Sequence, residues 1–561
     1  MAYTHTVATP RASRVIVYRR SAQWGGPIGL LVAPTLEDVR ITITSHAGGL
    51  IETTGGSILC DPWFNPAFFG SWFPFPRTDT LDLSLIAKPD YLYVSHLHLD
   101  HLDVDFLRNH VDKSARVLLP HYRVSALEDA LRDVGFTHFV HTRNDEPVEL
   151  DGGLSIAIRS LAAPHVGPMG DSALVVADST AVVLNQNDAH PADLDIVEQF
   201  GACDAHMLQH SGAIWYPMVY DFTEEEMSRL IGEKRARQMR RAVEFIEMVG
   251  ARHVIPTAGP PCFLDPELFQ FNDFSGSEPE TAPTIFPDAS VFIDYMRSVG
   301  HDEGKLMIPG STLEVGGPTD GSLTHPIPVE QVDAIFADKR NYLLRYQQDC
   351  SELIAAEHAS WPTDTTDLVS EMAEWLDPIL ALADKTAEGV GANIVLETDD
   401  GVRIMIDLSQ RRIREAAPDE TAPFVFRAHR PLIESSVRRR VEDWCNELFL
   451  SCRFSAHRDG PYNEFVYTFF KSLSPERMRT VEAHYSAESS VGEVEWVECD
   501  GWVVQKRCPH QKAALDRVGS VEANVLTCDL HGWQFELPSG RCINSEGVTL
   551  AVKGPVEATH A

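Results

Sequence analysis

Residues 91–103 read YLYVSHLHLDHLD and decide the fold of the first half of the chain. The apolar start of this stretch is typical of a buried strand, and His96, His98, Asp100 and His101 follow it directly. Imidazole and carboxylate groups are ligands that suit zinc, iron or manganese. Ligand sites in α/β folds gather at such strand ends. The spacing therefore predicts a metal centre, with a solvated polar loop as the alternative.

Strands and helices alternate on both sides of this motif. Short β-branched runs separated by glycine turns begin near residue 40, and further strands are predicted at SIAIRSLAAPH, SALVVAD and AVVLNQND. The stretch TEEEMSRLIGEKRARQMRRAVEFIEMVG has the periodicity of a long amphipathic helix that ends at Gly250. A buried strand, HVIPTAG, follows it. This alternation predicts an α/β sandwich.

The histidine motif resembles that of the metallo-β-lactamase superfamily, in which two metals sit between the two layers of an αββα sandwich. The resemblance implies three further ligands, and the sequence offers His165, Asp188 and His210 near strand ends. His206 is an alternative to His210, and Asp178 is an alternative to Asp188.

Residues around this motif are candidates for supporting roles. Asp61 in ILCDPWF is similar to the early aspartate of that superfamily, which supports the histidine loop; a strand-ending turn before a proline is the alternative. His46 could approach the centre but is not predicted as a ligand. The aromatic loop 63–76 and the Trp215-Tyr216 pair are candidates for a wall that excludes water, with core packing as the alternative.

A second set of ligand-type residues lies near the end of the chain. Cys508-x-His510 and Cys528-x-x-His531 are separated by 17 residues. Zinc sites usually group cysteine with cysteine and histidine with histidine, whereas one cysteine–histidine pair in each of two loops resembles the Rieske 2Fe–2S arrangement. The stretch HGWQFELPSGRC is also similar to the Rieske family's turn and hairpin. We therefore expect a 2Fe–2S cluster rather than a structural zinc.

Four segments are predicted. Residues 1–39 form an N-terminal extension, 40–325 the metallo-β-lactamase-fold catalytic domain, 326–480 a helix-rich α+β connecting domain, and 481–561 the Rieske domain. In the connecting domain ANIVLETDDGVRIMIDL predicts a hairpin, and SSVRRRVEDWCNELFLSCRF, residues 435–454, predicts a helix. The predicted fold class is α/β, an αββα sandwich, with an α+β middle region and an all-β Rieske domain.

Bulk properties argue against several classes of partner. A formal net charge of −35 repels phosphates, so nucleic-acid and membrane-surface binding are not expected. No apolar run approaches the roughly 20 residues that cross a bilayer, and the first residues lack the apolar core of a secretion signal. Ten cysteines in 561 residues are too sparse for a disulfide scaffold. We expect a cytoplasmic protein.

The chain also resembles the CMP-N-acetylneuraminate hydroxylases and their relatives. The matching residues are DPWF at 61–64, SHLHLDH at 95–101, LNQND at 184–188, LQHSGAIWYP at 208–217 and IPTAGPPCFLDP at 255–266. Those enzymes combine a Rieske module with a metallo-β-lactamase-type domain and hydroxylate an N-acetyl methyl group. Their Rieske module lies on the N-terminal side, whereas here it comes last.

These resemblances imply an O2-dependent oxidoreductase of the monooxygenase or N-oxygenase type. The expected enzyme is a Rieske-fed non-heme diiron oxygenase that hydroxylates a C–H bond or oxidises a nitrogen of a small polar substrate. We expect two irons in the first centre, with zinc or manganese as alternatives, and O2 as co-substrate. A ferredoxin or an NAD(P)H-dependent reductase would donate electrons, and a homo-oligomer is left open. A dinuclear zinc hydrolase with an electron-transfer appendage and a non-catalytic redox carrier are the rival functions.

Overall fold

The computed structural model describes residues 38–122, 124–161, 170–275, 283–363, 366–488, 494–509, 513–529, 532–543 and 548–556. The first 37 residues of the predicted N-terminal extension and three predicted ligands, His165, His510 and His531, lie outside these described residues.

Strands β1 to β14 and helices α1 to α4 build the first module. The strands are β1 (Val39–Ile43), β2 (Gly49–Thr53), β3 (Gly56–Cys60), β4 (Tyr91–Tyr93), β5 (Arg116–Leu119), β6 (Phe139–His141), β7 (Val148–Glu149), β8 (Ser155–Ser160), β9 (Ser172–Ala177), β10 (Val182–Asn187), β11 (Ala205–Gln209), β12 (His253–Thr257), β13 (Thr312–Val315) and β14 (Leu323–Thr324). The helices are α1 (Val104–His110), α2 (Ala126–Val134), α3 (Glu224–Val249) and α4 (Ala289–Ser298).

Two sheets face each other in this module. One has the strand order β14-β13-β1-β2-β3-β4-β5-β6 and the other the order β12-β11-β10-β9-β8-β7. Apolar side chains such as Ile51 and Met207 fill the space between the sheets. Helices α1 and α2 pack on the outer face of the first sheet, and α3 and α4 pack on the outer face of the second. The predicted αββα sandwich is confirmed.

Helix α3 is the longest helix of the described chain, and its ends follow from its sequence. The Thr223 hydroxyl accepts a hydrogen bond from the Glu226 amide, which satisfies one of the unpaired N–H groups of the first turn. At the other end Gly250 adopts a φ of 61°, the left-handed conformation that terminates helices. The predicted helix and its predicted end at Gly250 are confirmed.

The middle module has helices α5 to α12 around a five-stranded sheet of order β17-β16-β15-β18-β19. Its helices are α5 (Val329–Ala337), α6 (Lys339–Asp349), α7 (Ser351–Ala359), α8 (Leu368–Leu380), α9 (Asp384–Val390), α10 (Arg430–Arg438), α11 (Glu464–Phe470) and α12 (Pro475–Glu488). Its strands are β15 (Ile394–Thr398), β16 (Arg403–Asp407), β17 (Arg412–Glu415), β18 (Phe424–Ala428) and β19 (Phe454–Arg458). The predicted hairpin is the β15–β16 pair.

The predicted helix over residues 435–454 is wrong beyond Arg438, because the chain then forms turns until β19. Trp444, Cys445 and Phe449 lie in this non-helical stretch and are all essentially inaccessible to solvent. Their backbone is satisfied by distant partners instead: the Trp444 amide donates to the Phe470 carbonyl over 2.8 Å. Tertiary contacts thus replace the local hydrogen bonds that a helix would need.

The last module contains two small antiparallel sheets, β20-β21-β26 and β22-β23-β24-β25, and one short helix. The elements are β20 (Trp496–Cys499), β21 (Trp502–Gln505), α13 (Leu515–Val518), β22 (Gly519–Glu522), β23 (Val525–Cys528), β24 (Trp533–Glu536), β25 (Arg541–Cys542) and β26 (Val552–Pro555). Its core side chains belong to the same hydrophobic cluster as α3 and α4, so it packs on the first module.

Buried contacts join the first and middle modules. Arg453 of the middle module and Asp265 of the first form an ion pair of 2.7 Å in which both side chains are about 1% exposed. The segment around Tyr220 pairs with Ala456 at the edge of β19.

The predicted segment boundaries remain predictions. Within the described ranges, we find no helix whose length and apolar character would let it traverse a lipid bilayer.

Candidate metal centre

The loop after β4 carries the four ligand-type residues predicted from the sequence. Asp61, at the end of β3, holds this loop: its carboxylate accepts a hydrogen bond from the Ser95 amide over 2.7 Å and lies 3.1 Å from His101 Nδ1. Both Asp61 and His101 are fully buried. A carboxylate behind an imidazole fixes the ring's orientation and tautomer, so Asp61 presents His101 Nε2 to the opposite side.

The structure gathers ligand-type side chains into two neighbouring groups. His96, His98, Asp171 and Asp188 form the first, and His46, Asp100 and His101 form the second. In each group the candidate ligand atoms lie within 4.8 Å of one another. The first group combines the loop after β4 with residues next to β9 and β10, and the second adds the end of β1.

Asp188 lies between the two groups. One of its carboxylate oxygens is 3.9 Å from His96 Nε2 and 3.4 Å from His101 Nε2. This position results from the end of β10, where a register shift between Asn185 and Asn187 and a φ of 43° at Asn187 turn the chain. Asp188 therefore has the placement that a carboxylate shared between two metal ions requires.

The donor set fits a bound cation. His101 Nε2, Asp100 Oδ1 and Asp188 Oδ1 are buried and have no hydrogen-bond partner among the described residues. A buried polar atom without a partner costs about 1–3 kcal/mol. Because these atoms converge, one or more metal ions would satisfy them together, and imidazole with carboxylate suits iron, zinc or manganese.

The protonation pattern of the metal-free side chains leads to the same conclusion. Burial lowers the pKa of His96 well below its usual range, and the neighbouring His101 lowers it further. Burial would also lower the pKa of His101, but Asp188, Asp100 and Asp61 together raise it well above its usual range. Burial and Asp188 raise the pKa of Asp171. Protons on His101 and Asp171 thus take the place of positive charge that the pocket requires.

Three of the residues discussed from the sequence, His210, His206 and Asp178, do not belong to these groups. His210 Nε2 donates to the Pro287 carbonyl over 3.2 Å and its ring stacks on Phe292. The alternative, His206, is bonded to the Gln186 side chain over 2.7 Å. Neither histidine belongs to the two groups of the described chain. Asp178, the alternative to Asp188, instead accepts hydrogen bonds in a turn from residues such as Thr180.

The sequence analysis missed Asp171, and it did not predict His46 as a ligand. His46 Nε2 lies 3.2 Å from Asp100, and Asp171 lies 3.6 Å from His96 Nε2. The sequence indication of a ligand was weak at both positions. Each is a single polar residue beside a strand, with no second ligand-type residue at the close spacing of a metal motif. Only the meeting of β1, β4 and β9 brings them to the centre.

The aromatic loop serves the core. Trp63, Phe68 and Trp72 are at most 1% exposed and belong to the cluster that joins the first and middle modules, as does Trp215. Packing, the alternative stated for this loop, therefore describes these rings.

In the last module Cys508 and Cys528 are fully buried within one hydrophobic cluster. Cys528 ends β23, and the Gly532 amide donates back to its carbonyl over 2.6 Å, which closes a tight loop. Two thiolates in a dry core are the donors that one iron of a Rieske cluster requires.

Three family models match separate parts of the chain. They are the beta-lactamase superfamily domain over residues 57–257, the Rv3818-like, SCP2-like domain over 368–487 and the Rieske [2Fe-2S] domain over 483–552. These matches define the class of protein as a metallo-β-lactamase fold joined to a C-terminal Rieske 2Fe–2S domain. The predicted Rieske domain is confirmed.

Relatives that extend over nearly the whole chain define the family. The chain is similar to the Rieske 2Fe-2S iron-sulfur protein Rv3818 of Mycobacterium tuberculosis, with 46% identity over 528 residues, 92% of this chain and 100% of that one. A Rieske 2Fe-2S iron-sulfur protein of Mycolicibacterium smegmatis is 44% identical over 523 residues, 91% of this chain and 98% of that one. The chain belongs to the family of the Rieske 2Fe-2S iron-sulfur protein Rv3818.

The predicted resemblance to the CMP-N-acetylneuraminate hydroxylases is confirmed over a short stretch. The cytidine monophosphate-N-acetylneuraminic acid hydroxylase of Asterias rubens is 42% identical over 71 residues, which is 12% of this chain and 10% of that one.

Proposed function

We propose that this chain is an O2-dependent oxidoreductase, a Rieske-fed non-heme diiron oxygenase that hydroxylates a C–H bond or oxidises a nitrogen of a small polar substrate. The proposal is carried by one observation: a Rieske domain shares a chain with a strand-end centre of four histidines and three aspartates. Delivery of single electrons is useful to a redox-active metal and has no role at a hydrolytic zinc site.

Bound iron would supply O2 activation at this centre, and a bound 2Fe–2S cluster would supply single electrons. The chain's own residues hold and orient these groups. His96, His98 and Asp188 would hold the first iron, and His101 and Asp100 the second, with Asp188 shared. His165 and His210 remain proposed ligands, and Cys508, His510, Cys528 and His531 are the proposed ligands of the cluster.

Helix α3 is the structural link between the two centres. On one side the Phe245 ring stacks on His190, two residues after Asp188, at 6.1 Å between ring centroids. On another side Arg240 forms an ion pair of 3.1 Å with Asp529, which follows Cys528. A single rigid element thus contacts segments next to both sets of ligands, which supports electron transfer within one chain.

Charged groups of the middle module act electrostatically on two side chains of the metal centre, which supports a polar substrate. Burial is the largest cause that lowers the pKa of His98, and Asp443 acts against it. Burial likewise raises the pKa of Asp171 most, and Lys471 acts against it. A substrate that enters between these modules meets both signs of charge. The proposed electron donor is a ferredoxin or an NAD(P)H-dependent reductase.

Metal analysis separates the proposal from its two rivals. Anaerobically purified protein with about four irons per chain supports the oxygenase, since the cluster accounts for about two of them. About two irons with two zincs would support a zinc hydrolase with an electron-transfer appendage. About two irons alone would support a non-catalytic redox carrier.

Substitution of a proposed ligand tests the site itself. His98→Ala should abolish reductant-dependent O2 consumption while the electron paramagnetic resonance signal of the reduced Rieske cluster stays unchanged. The matched control is His206→Ala, because His206 is a buried histidine of the same module outside both groups. Full O2 consumption by the His98 variant would exclude this pocket as the active site.

A further inference from the structure

A cavity of about 790 Å³ opens where the three modules meet. Its wall includes Arg229, Arg237 and Arg240 of α3, Arg458 at the end of β19, and Trp533 of the Rieske domain. Four acidic residues, Glu226, Glu233, Glu522 and Asp529, also line the cavity. The wall therefore has as many arginines as acidic residues, whereas the chain as a whole carries 82 acidic and 47 basic residues.

Two of these arginines are neutralised by neighbours. Arg229 pairs with Glu226 and Glu233 on the same helix, and Arg240 pairs with Asp529 of the Rieske domain. Glu522, which also lines the cavity, is exposed. The wall therefore holds fixed ion pairs at Arg229 and Arg240.

The other two arginines form no ion pair with an acidic residue of the described chain. Among the described residues Arg237 makes no ion pair and no side-chain hydrogen bond. Its pKa is lowered, chiefly by burial, with Glu233 acting against this. Arg237 also acts on its neighbour Lys234: burial and then the positive charges of Arg237 and Arg241 lower the pKa of Lys234 to about 7. Lys234, Arg237 and Arg241 thus place positive charge close together on this stretch of α3, and Glu233 compensates it only in part.

Arg458 is held in place but left with unused donors. Its guanidinium lies 5.0 Å from the Tyr216 ring centroid, 5.4 Å from that of Tyr220 and 5.6 Å from that of Phe222. One nitrogen donates to the Tyr216 hydroxyl over 3.1 Å. Its Nε and Nη1 atoms are buried and have no partner within the described chain. The aromatic rings hold the planar guanidinium group of Arg458 in place but do not accept hydrogen bonds from its Nε and Nη1 atoms.

We propose that this cavity is a binding site for an organic anion, with a carboxylate or phosphate group held by Arg237 and Arg458. A guanidinium fork binds either oxyanion through two parallel hydrogen bonds, and buried donors without partners favour such a ligand. The rings of Tyr216, Tyr462 and Trp533 supply flat walls for the rest of the molecule. This site is separate from the proposed metal centre and does not depend on it.

The site adjoins the Rieske loop. Gly532, which follows the proposed cluster ligand His531, has a φ of 69°, and a Cβ at this position would overlap the side chain of Arg237. The glycine thus lets Arg237 pack directly on the backbone of the cluster loop. An anion bound to Arg237 would neutralise a positive charge that packs against that loop.

The test is calorimetric titration of the full-length holoprotein with inorganic phosphate and, separately, with citrate. We expect saturable binding of at least one probe at one site per chain. Arg237→Gln and Arg458→Gln should each weaken it at least about tenfold, since each removes a charge-assisted bidentate contact. Binding of phosphate alone would identify a phosphate-bearing ligand, and binding of citrate alone a carboxylate-bearing one.

Arg229→Gln is the matched control, because this arginine lines the same cavity but is already paired. Its affinity should stay within about twofold of the unsubstituted protein. An equal loss in all three variants would indicate general charge attraction and overturn the proposal, as would failure of both probes to bind.

Two further variants keep the result interpretable. Arg458→Lys retains the charge and loses the fork, so weakened binding with an unchanged melting temperature would support the site. His98→Ala should bind the probe as tightly as the unsubstituted protein, so a failed metal centre and a failed anion site give different results. Loss of probe binding in His98→Ala would overturn the separation of the two sites.

Discussion

The metal centre and the arginine-lined cavity present opposite kinds of unpaired polar atoms. At the strand ends the unpaired atoms are carboxylate oxygens and imidazole nitrogens, such as Asp188 Oδ1 and His101 Nε2. In the cavity they are guanidinium N–H groups of Arg458. Native proteins pair nearly all buried polar groups. Where they do not, the character of the unpaired atoms indicates the charge of the ligand that would pair with them. Carboxylate oxygens and imidazole nitrogens in the first region indicate a cation, and guanidinium N–H groups in the second indicate an anion.

A third buried region shows the contrasting case. Arg453 and Asp265 are as deeply buried as the metal centre, yet their charges compensate each other, and His358 adds a contact of 2.6 Å to the same carboxylate. Arg453 Nη1 has no hydrogen-bond partner among the described residues, but it lies 3.8 Å from the Glu267 carboxylate. This ion pair joins the first and middle modules, so we expect it to serve folding, whereas we propose that the unpaired groups of the other two regions serve binding.

The largest expected effect is at the carboxylate between the two metal groups. Asp188→Ala should remove the non-cluster metal, with affinity lowered at least about hundredfold, because the residue adjoins both groups. Metal content by mass spectrometry of the purified protein measures this. Asp178→Asn is the control and should keep full metal, since Asp178 accepts hydrogen bonds from Thr54 and Thr180 and belongs to neither group of ligands. Equal metal content in both variants would contradict the assignment.

The second effect separates a paired arginine from the unpaired ones. Arg453→Met should destabilise the protein by about 3 kcal/mol, because it leaves the Asp265 carboxylate buried without its arginine. Calorimetric melting measures the change. Arg237→Gln should leave the melting temperature nearly unchanged, since no ion pair is lost. If Arg453→Met and Arg237→Gln lowered the melting temperature by similar amounts, the proposed difference between the two arginines, one for folding and one for ligand binding, would be wrong.

The third prediction concerns the pH dependence of metal binding. In the metal-free protein the raised pKa of His101 favours the protonated ring, because Asp188, Asp100 and Asp61 overcome the effect of burial. A metal ion must displace that proton. The affinity should therefore fall as pH falls below this pKa, by about tenfold per pH unit for each proton displaced. Metal titration of the apoprotein at several pH values measures the slope, and a flat profile would rule out this proton competition.

The smallest expected effect is on the Rieske potential. Arg237 packs on Gly532, so Arg237→Gln removes a positive charge beside the cluster loop. The reduced cluster carries one more electron, and the potential should become more negative by on the order of tens of millivolts. Spectroelectrochemical titration measures it. Arg229→Gln should leave the potential unchanged, and an unshifted potential in the Arg237 variant would show that its charge is not felt by the cluster.

Local spacing made much of the molecule predictable. His96, His98, Asp100 and His101 lie within six residues, so no tertiary contact is needed to bring them together. The periodicity and the terminal Gly250 of α3 likewise act within one element. By contrast, the predicted helix over residues 435–454 was wrong from Arg439 onward, because contacts such as the Trp444–Phe470 hydrogen bond override local preference.

The sequence by itself determined the αββα sandwich, the Rieske module and the histidine loop, because each depends on patterns of neighbouring residues. Only the tertiary structure decided that Asp171 and His46 join this loop and that His210 contacts Pro287. It also decided that Arg237 and Arg458, more than 200 positions apart, line one cavity. The physical reason is that strand pairing and module packing set these distances, and neither is encoded in the spacing of residues along the chain.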